Sequence, residues 1–376
     1  RLRRIKQLGL TDFVYPGAFH TRFHHALGAM FLMGQALDNL RAKDVRISNE
    51  EYEAMLIAIL LHDIGHGPFS HALEKTLLKN IHHETISLLL MKSLNDHFGG
   101  KLSLAIDIFS GKYHRPFFYQ LISSQLDIDR LDYIQRDSFF TGVSEGTISI
   151  DRIIKMLNVV DDELLVEEKS IYSIENFLNA RRLMYWQVYL HKTTIGTENM
   201  LIKIIQRAKY LVNHGEQIFV SNPLELFLKN EVDIHLLEEE KYLEAFAHLD
   251  DHDLWFSIKQ WQLSDDKVLR YLCRMLVNRK LFKVSLYNSK PEKELRQAYK
   301  HKIVEQFKLD EKEAKFLLAH GTVSNAAYQA NDQKIKIQMK SGQITDIAMA
   351  SDLPNIKAIS KIVKKYYLCW PKSLSL

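Results

Sequence analysis

The sequence predicts a mainly α protein, with an all-helical N-terminal core that includes one small hairpin and a smaller α+β C-terminal region. Apolar residues recur at helical spacing through most of the first 213 residues. Later in the chain, "KLFKVSLY" and "QKIKIQMKSGQITDIAMAS" alternate apolar and polar residues, which predicts strands. With 376 residues, 46% of them hydrophobic, the chain can bury a sizeable core in one large domain or two moderate ones.

The predicted helices of the core follow one another closely. The first lies in "HTRFHHALGAMFLMGQALDNL", with Thr21 as a candidate N-cap, and the second is the apolar "NEEYEAMLIAILLHD" with acids in its first turn. "GPFSHALEKTLLKN" predicts a helix entered at Gly67 and Pro68, because proline lacks only an N–H that a first helical turn does not need. "HHETISLLLMKSLNDHF" and "RPFFYQLISSQLDIDRLDYIQRDSFF" predict two more helices.

The remaining elements lie on either side of an expected domain boundary at residue 215. "MLNVVDDELLVEEKSI" predicts a hairpin with Asp161 and Asp162 near its turn, followed by a long helix from about Ile174 and another in "TENMLIKIIQRAKYLV". The C-terminal strands are expected to pair across Ser341–Gly342, with helical "EKELRQAYKHKIVEQF" before them. We therefore expect one domain at 1–215, and a helical extension with a small α+β domain at 216–376.

Composition narrows the classes of partner. The net charge is about +4 without aromatic and basic residues interleaved, which argues against a nucleic-acid partner. No apolar run is long enough to span a membrane and no signal peptide is visible, so we expect no membrane partner. The two cysteines, Cys273 and Cys369, match no metal spacing and suit a reducing, cytoplasmic location.

The stretch "LLHDIGHGPFSHALE" indicates a metal site. Asp63 lies near the C-terminal end of an apolar helix, where unpaired carbonyls are already partly negative, so a cation is needed to compensate its carboxylate. The neighbouring His62 can hold the same cation, and the glycines at 65 and 67 allow the backbone to turn sharply around it. A single His-Asp pair also caps helices by chance, so two further ligands are required.

His25 and Asp129 are the candidates for those ligands. His25 shares a helical face with apolar residues, which taken alone fits a core histidine better than a metal ligand. Asp129, Tyr133 and Asp137 form one polar stripe at i, i+4 and i+8 on an otherwise apolar helix. Asp132 and Arg136 are better explained as an i,i+4 surface pair.

These motifs resemble those of the HD superfamily of metal-dependent phosphohydrolases. The pattern is His25, then His62-Asp63, then Asp129. More closely, "RLRRIKQLG", "YPGAFHTRFHHALG", "LLHDIGHGPFSHALE", "HHE", "LDIDRLDYIQRD" and "VYLHK" resemble, in order, the deoxynucleoside triphosphate triphosphohydrolase (dGTPase-like) branch. The resemblance covers roughly residues 1 to 195 and implies an HD domain at 1–215.

The resemblance implies a role for each matched residue. One divalent transition metal, which could be Mn, Fe, Ni, Co or Zn, would be held by His25, His62, Asp63 and Asp129, with room for Mg²⁺ on a substrate triphosphate. The implied catalytic residues around the α-phosphate are His66, His71, Glu74 and His83, of which His71 would be the general acid and Glu74 and His83 would orient His66. The implied substrate contacts are Arg22, Arg130, Arg181 and Tyr133 for phosphate, and Gln7, Leu8, Asp137 and Tyr189 for deoxyribose.

The implied reaction is hydrolysis of a deoxynucleoside triphosphate (dNTP) to deoxynucleoside and inorganic triphosphate, by attack of water at the α-phosphate. Relatives are commonly dimers or tetramers, so the resemblance also implies a homo-oligomer. Two alternatives stay open. One is an HD phosphohydrolase acting on nucleoside monophosphates or cyclic nucleotides, although no GYP motif follows the HD pair. The other is a nucleotide-binding regulator without turnover.

Overall fold

The computed structural model describes residues 1–70, 74–325, 328, 334–352 and 362–375, with the side chains at 74 and 75 excepted. The N-terminal part is helical, as predicted, and the chain as a whole is mainly α. Its helices are α1 (Arg22–Arg41), α2 (Asn49–Leu61), α3 (Glu74–Leu77), α4 (His83–His97), α5 (Ser103–Phe109), α6 (Pro116–Ile122), α7 (Ile128–Thr141), α8 (Ile150–Met156), α9 (Ile171–Met184) and α10 (Lys192–Asn213).

Local side-chain bonds set the ends of the helices around the site. Ser48 caps α2 by accepting a hydrogen bond from the Glu51 backbone N–H, while the Glu51 carboxylate accepts from the Ser48 N–H. Asp127 caps α7 in the same way, accepting from the Arg130 N–H. This cap starts a new helix within the single helix predicted over "RPFFYQLISSQLDIDRLDYIQRDSFF", which is therefore wrong: α6 and α7 are separated by residues 123–127.

The helix predicted over residues 67–80 does not begin at Gly67 and Pro68, although α3 lies within that range. Gly67 and Pro68 lie in turns, and the next described helix is α3. Phe69 and Ser70 have φ values of 54° and 55°, in the left-handed region that a right-handed helix excludes. The long helix predicted from about Ile174 corresponds to α9, which is followed directly by a π-helical turn at Tyr185–Tyr189. The next α-helix is α10.

The predicted hairpin is present and takes in strands from the C-terminal region. Strands β1 (Leu157–Val160) and β2 (Glu163–Glu167) are antiparallel, and Asp161 and Asp162 form the two-residue turn with φ of 52° and 57°. Two later strands, β5 (Lys336–Gln338) and β6 (Ile344–Asp346), pair across Ser341–Gly342 as predicted. Because β5 lies parallel to β2, one sheet with the order β1-β2-β5-β6 joins both ends of the chain.

The C-terminal region combines helices with a second sheet. Strands β3 (Phe282–Tyr287), β4 (Ala319–Asn325) and β7 (Val363–Pro371) form an antiparallel sheet in the order β3-β7-β4, of which only β3 was predicted. Its helices are α11 (Asn222–Lys229), α12 (Ile234–Glu238), α13 (Glu240–His248), α14 (Asp251–Trp261), α15 (Lys267–Val277), α16 (Lys293–Phe307), α17 (Glu311–Ala314) and α18 (Ile347–Ala350).

Two hydrophobic clusters hold these elements together, and each contains residues from both sides of residue 215. One is built around α1, α2, α7 and α9 and also includes Tyr328, Ile337 and Ile347. The other surrounds α10 and runs from Leu10 to Leu374. The boundary at residue 215 stays a prediction. Among the described residues, no helix is both long and apolar enough to cross a membrane.

Candidate active site

Four side chains from three helical regions converge at the start of the turn that follows α2. His25 on α1 and His62 at the end of α2 bring their Nε2 atoms to 3.3 Å from each other. The Asp129 carboxylate on α7 lies 3.0 Å from the first and 3.3 Å from the second. Asp63 carboxylate oxygens lie 3.4 Å from His62 Nε2 and 3.8 Å from His25 Nε2. Ligands that share a metal at about 2.1 Å lie roughly 3 to 4 Å apart, so this spacing fits a metal ion.

The outer ring nitrogens of both histidines are fixed by acceptors. His25 Nδ1 lies 2.7 Å from an oxygen of Asp132, and His62 Nδ1 lies 2.6 Å from the Ile59 carbonyl oxygen. Each Nδ1 therefore donates its hydrogen, and in the neutral imidazole each Nε2 presents a lone pair to the centre. Two such lone pairs at 3.3 Å repel one another unless a cation lies between them, and without a metal ion a proton on His25 Nε2, shared with Asp129, takes that place.

The charges around these histidines create a strongly negative potential. Burial alone would lower the pKa of His25, but hydrogen bonds to Asp129 and Asp132 outweigh burial and raise that pKa to about 10. Burial alone would raise the pKa of Asp129, yet His25 and His62 hold it well below its usual value. A potential that attracts a proton this strongly also attracts a metal cation.

Asp63 joins the metal cluster to a second group of side chains. Its carboxylate accepts from the Arg22 guanidinium and lies 3.3 Å from His66 Nε2. The His66 ring stacks on the His83 ring, with centroids 3.8 Å apart and planes 21° apart. Burial and then the positive charge of Arg22 hold the pKa of His66 well below its usual value, so His66 is a neutral imidazole beside the candidate metal site.

A cavity of about 400 Å³ opens against these groups. Most of the residues that the sequence pointed to as substrate contacts or catalytic groups lie on its wall, while His25 and His62 lie behind that wall. The wall includes the predicted residues Gln7, Leu8, Arg22, Asp63, His66, His83, Asp129, Tyr133, Asp137 and Tyr189.

Arg130 and Arg181 lie beside this wall rather than on it. Burial raises the pKa of Tyr133 well above its usual value. The positive charges of Arg130 and Arg181 act in the opposite direction on this pKa, so both guanidinium groups lie near the phenol. Arg130 is paired with Asp127, and its Nε is buried without a hydrogen-bond partner among the described residues. Arg181 is 8% exposed, and neither its Nε nor its Nη1 has a hydrogen-bond partner among the described residues.

Asp137 organises the wall near Tyr189. One of its oxygens accepts from the Tyr189 hydroxyl at 2.8 Å, and the other lies 2.7 Å from His20 Nε2. The His20 ring stacks on Phe140 with centroids 4.4 Å apart. The phenol of Tyr189 is therefore held in one orientation at the cavity.

Comparisons with known proteins show the family to which the chain belongs. The family model described as the HD domain matches residues 22–137, and the model for an HD associated region matches 148–217. An uncharacterized Bacillus subtilis protein, YwfO, is 32% identical over 100% of this chain and 86% of its own length. The chain belongs to the HD phosphohydrolase family.

Two further HD relatives bear on structure and on chemistry. The crystal structure of a phosphohydrolase from Bacteroides thetaiotaomicron superposes with a TM-score of 0.95, at 49% identity over 99% of this chain and 93% of the other. A deoxynucleoside triphosphate triphosphohydrolase SAMHD1 homolog from Dictyostelium discoideum is 28% identical over 71% of this chain and 56% of its own length. The core of this HD protein is thus similar to that of the SAMHD1 dNTP triphosphohydrolases.

The prediction for Asp132 in this HD protein needs a correction. Asp132 does pair with Arg136, at 2.7 and 2.8 Å, but it is not on the surface: it is 4% exposed and bonds His25. Two predicted catalytic residues cannot be located, because His71 and the Glu74 side chain lie outside the described residues.

Several groups at the HD site gave no sequence signal that we recognised. His20 supports Asp137, and Thr194 and Glu198 on α10 line the cavity. Thr194 and Glu198 are spaced i and i+4, so the sequence shows that they share one side of a helix. Whether that side faces the cavity depends on how α10 packs.

The N-terminal wall of the HD site is held by the C-terminal region. Asp251, at the start of α14, accepts from the Lys6 N–H at 2.9 Å and from the Phe69 N–H at 2.8 Å. Ser70 accepts from the Arg22 guanidinium at 2.8 Å. Residues 6–9 and the turn at 69–70 are thereby fixed to each other and to α14.

Proposed function

We propose that this protein hydrolyses dNTPs to deoxynucleoside and inorganic triphosphate, by attack of water at the α-phosphate. The observation that supports this most is buried Arg181 beside the candidate metal site, which forms no ion pair with any described residue, together with the unpartnered Nε of Arg130. Arg181 offers two buried N–H donors without partners, and Arg130 offers one. Buried guanidinium groups without partners are costly unless an anion completes them, and three linked phosphates provide the oxygens.

The candidate metal ligands are His25, His62 and Asp63, which lie within reach of one ion, and Asp129, which approaches both histidines; these donor types suit Mn, Fe, Ni, Co or Zn. When bound, such a metal acidifies water and polarises a phosphoryl oxygen. Asp132 and the Ile59 carbonyl keep the two imidazoles in the tautomer that ligation requires.

The other residues of the chain bind and orient the substrate. Arg22, held by Asp63 and Ser70, presents positive charge at the cavity wall. The neutral His66 beside Asp63 can exchange a proton without carrying a charge at rest, and stacking on His83 fixes its ring. Tyr189, oriented by Asp137, lies against the deoxyribose in this proposal, where its ring would exclude a 2′-hydroxyl.

The product distinguishes this reaction from others. Incubation with each dNTP and Mn²⁺, followed by anion-exchange chromatography, should yield intact tripolyphosphate and deoxynucleoside in equal amounts. Accumulation of orthophosphate or pyrophosphate without tripolyphosphate would contradict the proposal. His62→Ala should abolish turnover while the helical circular dichroism spectrum stays unchanged.

Arg181 offers a matched test of the phosphate assignment. Arg181→Gln removes a charged donor worth roughly 1.5 to 3 kcal/mol, so kcat/KM for a dNTP should fall about 10- to 100-fold. Arg182→Gln, at the neighbouring and more exposed position, removes the same charge and should change kcat/KM less than threefold. If both variants lose activity equally, the effect is one of net charge and not of phosphate binding.

The alternative substrates within the same family are nucleoside monophosphates and cyclic nucleotides. A panel with added Mn²⁺ separates them, and a preference for monophosphates would leave Arg181 without a role. Light scattering coupled to gel filtration tests the proposed homo-oligomer, either dimer or tetramer.

A further inference from the structure

Glu198 is a carboxylate on the cavity wall that the proposed reaction does not use. It lies on α10 and contacts the same cavity as Asp63 and Asp129. No described residue forms a hydrogen bond or an ion pair with it, and burial raises its pKa to about 7. An uncompensated carboxylate at a cavity lowers the stability of the fold, which suggests that a ligand compensates it.

Two other groups on this cavity wall are buried polar atoms without a described hydrogen-bond partner. The Thr194 hydroxyl lies one helical turn before Glu198, where i and i+4 residues face the same side, and it is buried without a described partner. The Gln7 side-chain oxygen is also buried without one. Because most buried polar atoms in folded proteins are hydrogen-bonded, two exceptions on the cavity that Glu198 also lines indicate a site for polar recognition.

The position of Glu198 along the chain suits the base of a bound nucleotide. Tyr189, against which the proposed function sets the deoxyribose, precedes α10 by three residues. Glu198 lies six residues after Lys192, about 9 Å along the helix axis. A nucleobase extends several ångströms outward from its sugar and carries N–H and carbonyl groups on its edge.

Resting on the proposed dNTP hydrolysis, we propose that Glu198 and Thr194 read the base edge of the substrate and favour guanine. Guanine presents two adjacent N–H donors, which the two carboxylate oxygens can accept together, and the Thr194 hydroxyl can donate to the neighbouring O6. Adenine and cytosine offer one amino group each. Thymine places carbonyl oxygens on both sides of its single N–H, and these repel a carboxylate.

Binding measured without turnover tests this directly. In a His62→Ala background, calorimetric titration with dGTP, dITP, dATP and dTTP should show dGTP binding about tenfold or more tightly than dTTP, as expected for a bidentate contact. The nucleotide dITP, which lacks the 2-amino group, should bind with intermediate affinity. Glu198→Gln should reduce the dGTP-to-dTTP ratio to below threefold, mainly by weakening dGTP.

Three further variants serve as controls for the Glu198→Gln measurement. Thr194→Val, which removes only the hydroxyl, should lower the ratio by a smaller factor. Glu53→Gln, at an exposed position on α2, should leave the ratio unchanged. If thermal unfolding shows that Glu198→Gln does not fold, Glu198→Asp replaces it, since the shorter arm keeps the charge but should still lose the ratio.

The outcomes separate this inference from the proposed reaction. An unchanged ratio in Glu198→Gln, or an equal weakening of all four nucleotides, overturns the role in base recognition. If wild-type protein releases no tripolyphosphate but Glu198-dependent preference for guanine is measured, the reaction is wrong and the recognition site stands.

Discussion

Asp132 provides the sharpest test of the candidate metal site. It is not a candidate metal ligand itself, and it would affect metal binding only by positioning His25. In Asp132→Asn, one carboxylate oxygen becomes an NH₂ group. The native carboxylate accepts three hydrogen bonds, one from His25 at 2.7 Å and two from Arg136 at 2.7 and 2.8 Å. Asparagine has only one oxygen to offer, so one of these donors must face another donor.

The two amide orientations lead to different losses. If the oxygen faces His25, the tautomer is kept, and Arg136, whose side chain is 24% exposed, can move away. If the NH₂ faces His25, Nδ1 must become the acceptor and Nε2 carries the hydrogen, which blocks ligation. Loss of such outer partners typically weakens metal binding 10- to 100-fold, about 1.4 to 2.8 kcal/mol. We expect about tenfold for Asp132→Asn, because the first orientation remains available, and about 100-fold for Asp132→Ala.

Equilibrium dialysis against graded chelator, followed by metal analysis, measures this affinity for Mn²⁺ and Zn²⁺. Arg136→Gln is the control, since it keeps the carboxylate on His25 and should change affinity less than threefold. Circular dichroism establishes that each variant is folded. Wild-type metal affinity in both Asp132 variants would refute the idea that this carboxylate positions His25 for a metal.

Three further predictions concern packing and pH. A Cβ on Gly28 would lie 1.8 Å from Arg136 and 2.1 Å from Asp132, so Gly28→Ala should weaken metal binding about tenfold by dialysis, whereas Gly34→Ala on the same helix, 3.3 Å from the nearest atom, should not. Burial raises the pKa of Asp251 from 3.8 to about 6, so its contribution to stability is present below about pH 4 and is lost by pH 6. Unfolding free energies should show wild type losing up to about 3 kcal/mol relative to Asp251→Asn over that window. Phe117 is fully buried, and urea unfolding of Phe117→Ala should show a loss of about 3 to 5 kcal/mol.

The sequence correctly predicted those features that depend on residues close together in the chain. The β1–β2 turn follows from two adjacent aspartates between alternating strands, and the inward direction of His25 follows from its helical face. The convergence of His62 and Asp129 could be expected only through the family resemblance, because 67 residues separate them.

The errors arose where tertiary packing decides. Asp132 has the spacing of a surface ion pair, and only the contact between α1 and α7 buries it against His25. The helix break before α7 depends on the Asp127 cap. The apolar residues on both sides of Asp127 favour one continuous helix, so the sequence does not reveal this break. Strands β4 and β7 pair with each other across a long stretch of chain, and no alternation specific enough to predict them is visible.

The bonds from Asp251 to Lys6 and Phe69 have a consequence for how the protein is made. All four candidate ligands lie within the first 129 residues of the sequence, whereas Asp251 follows well over a hundred residues later. The wall at residues 6–9 is secured only after α14 has emerged. During synthesis, the residues that could bind the metal are therefore all present before the contacts that fix the cavity wall can form.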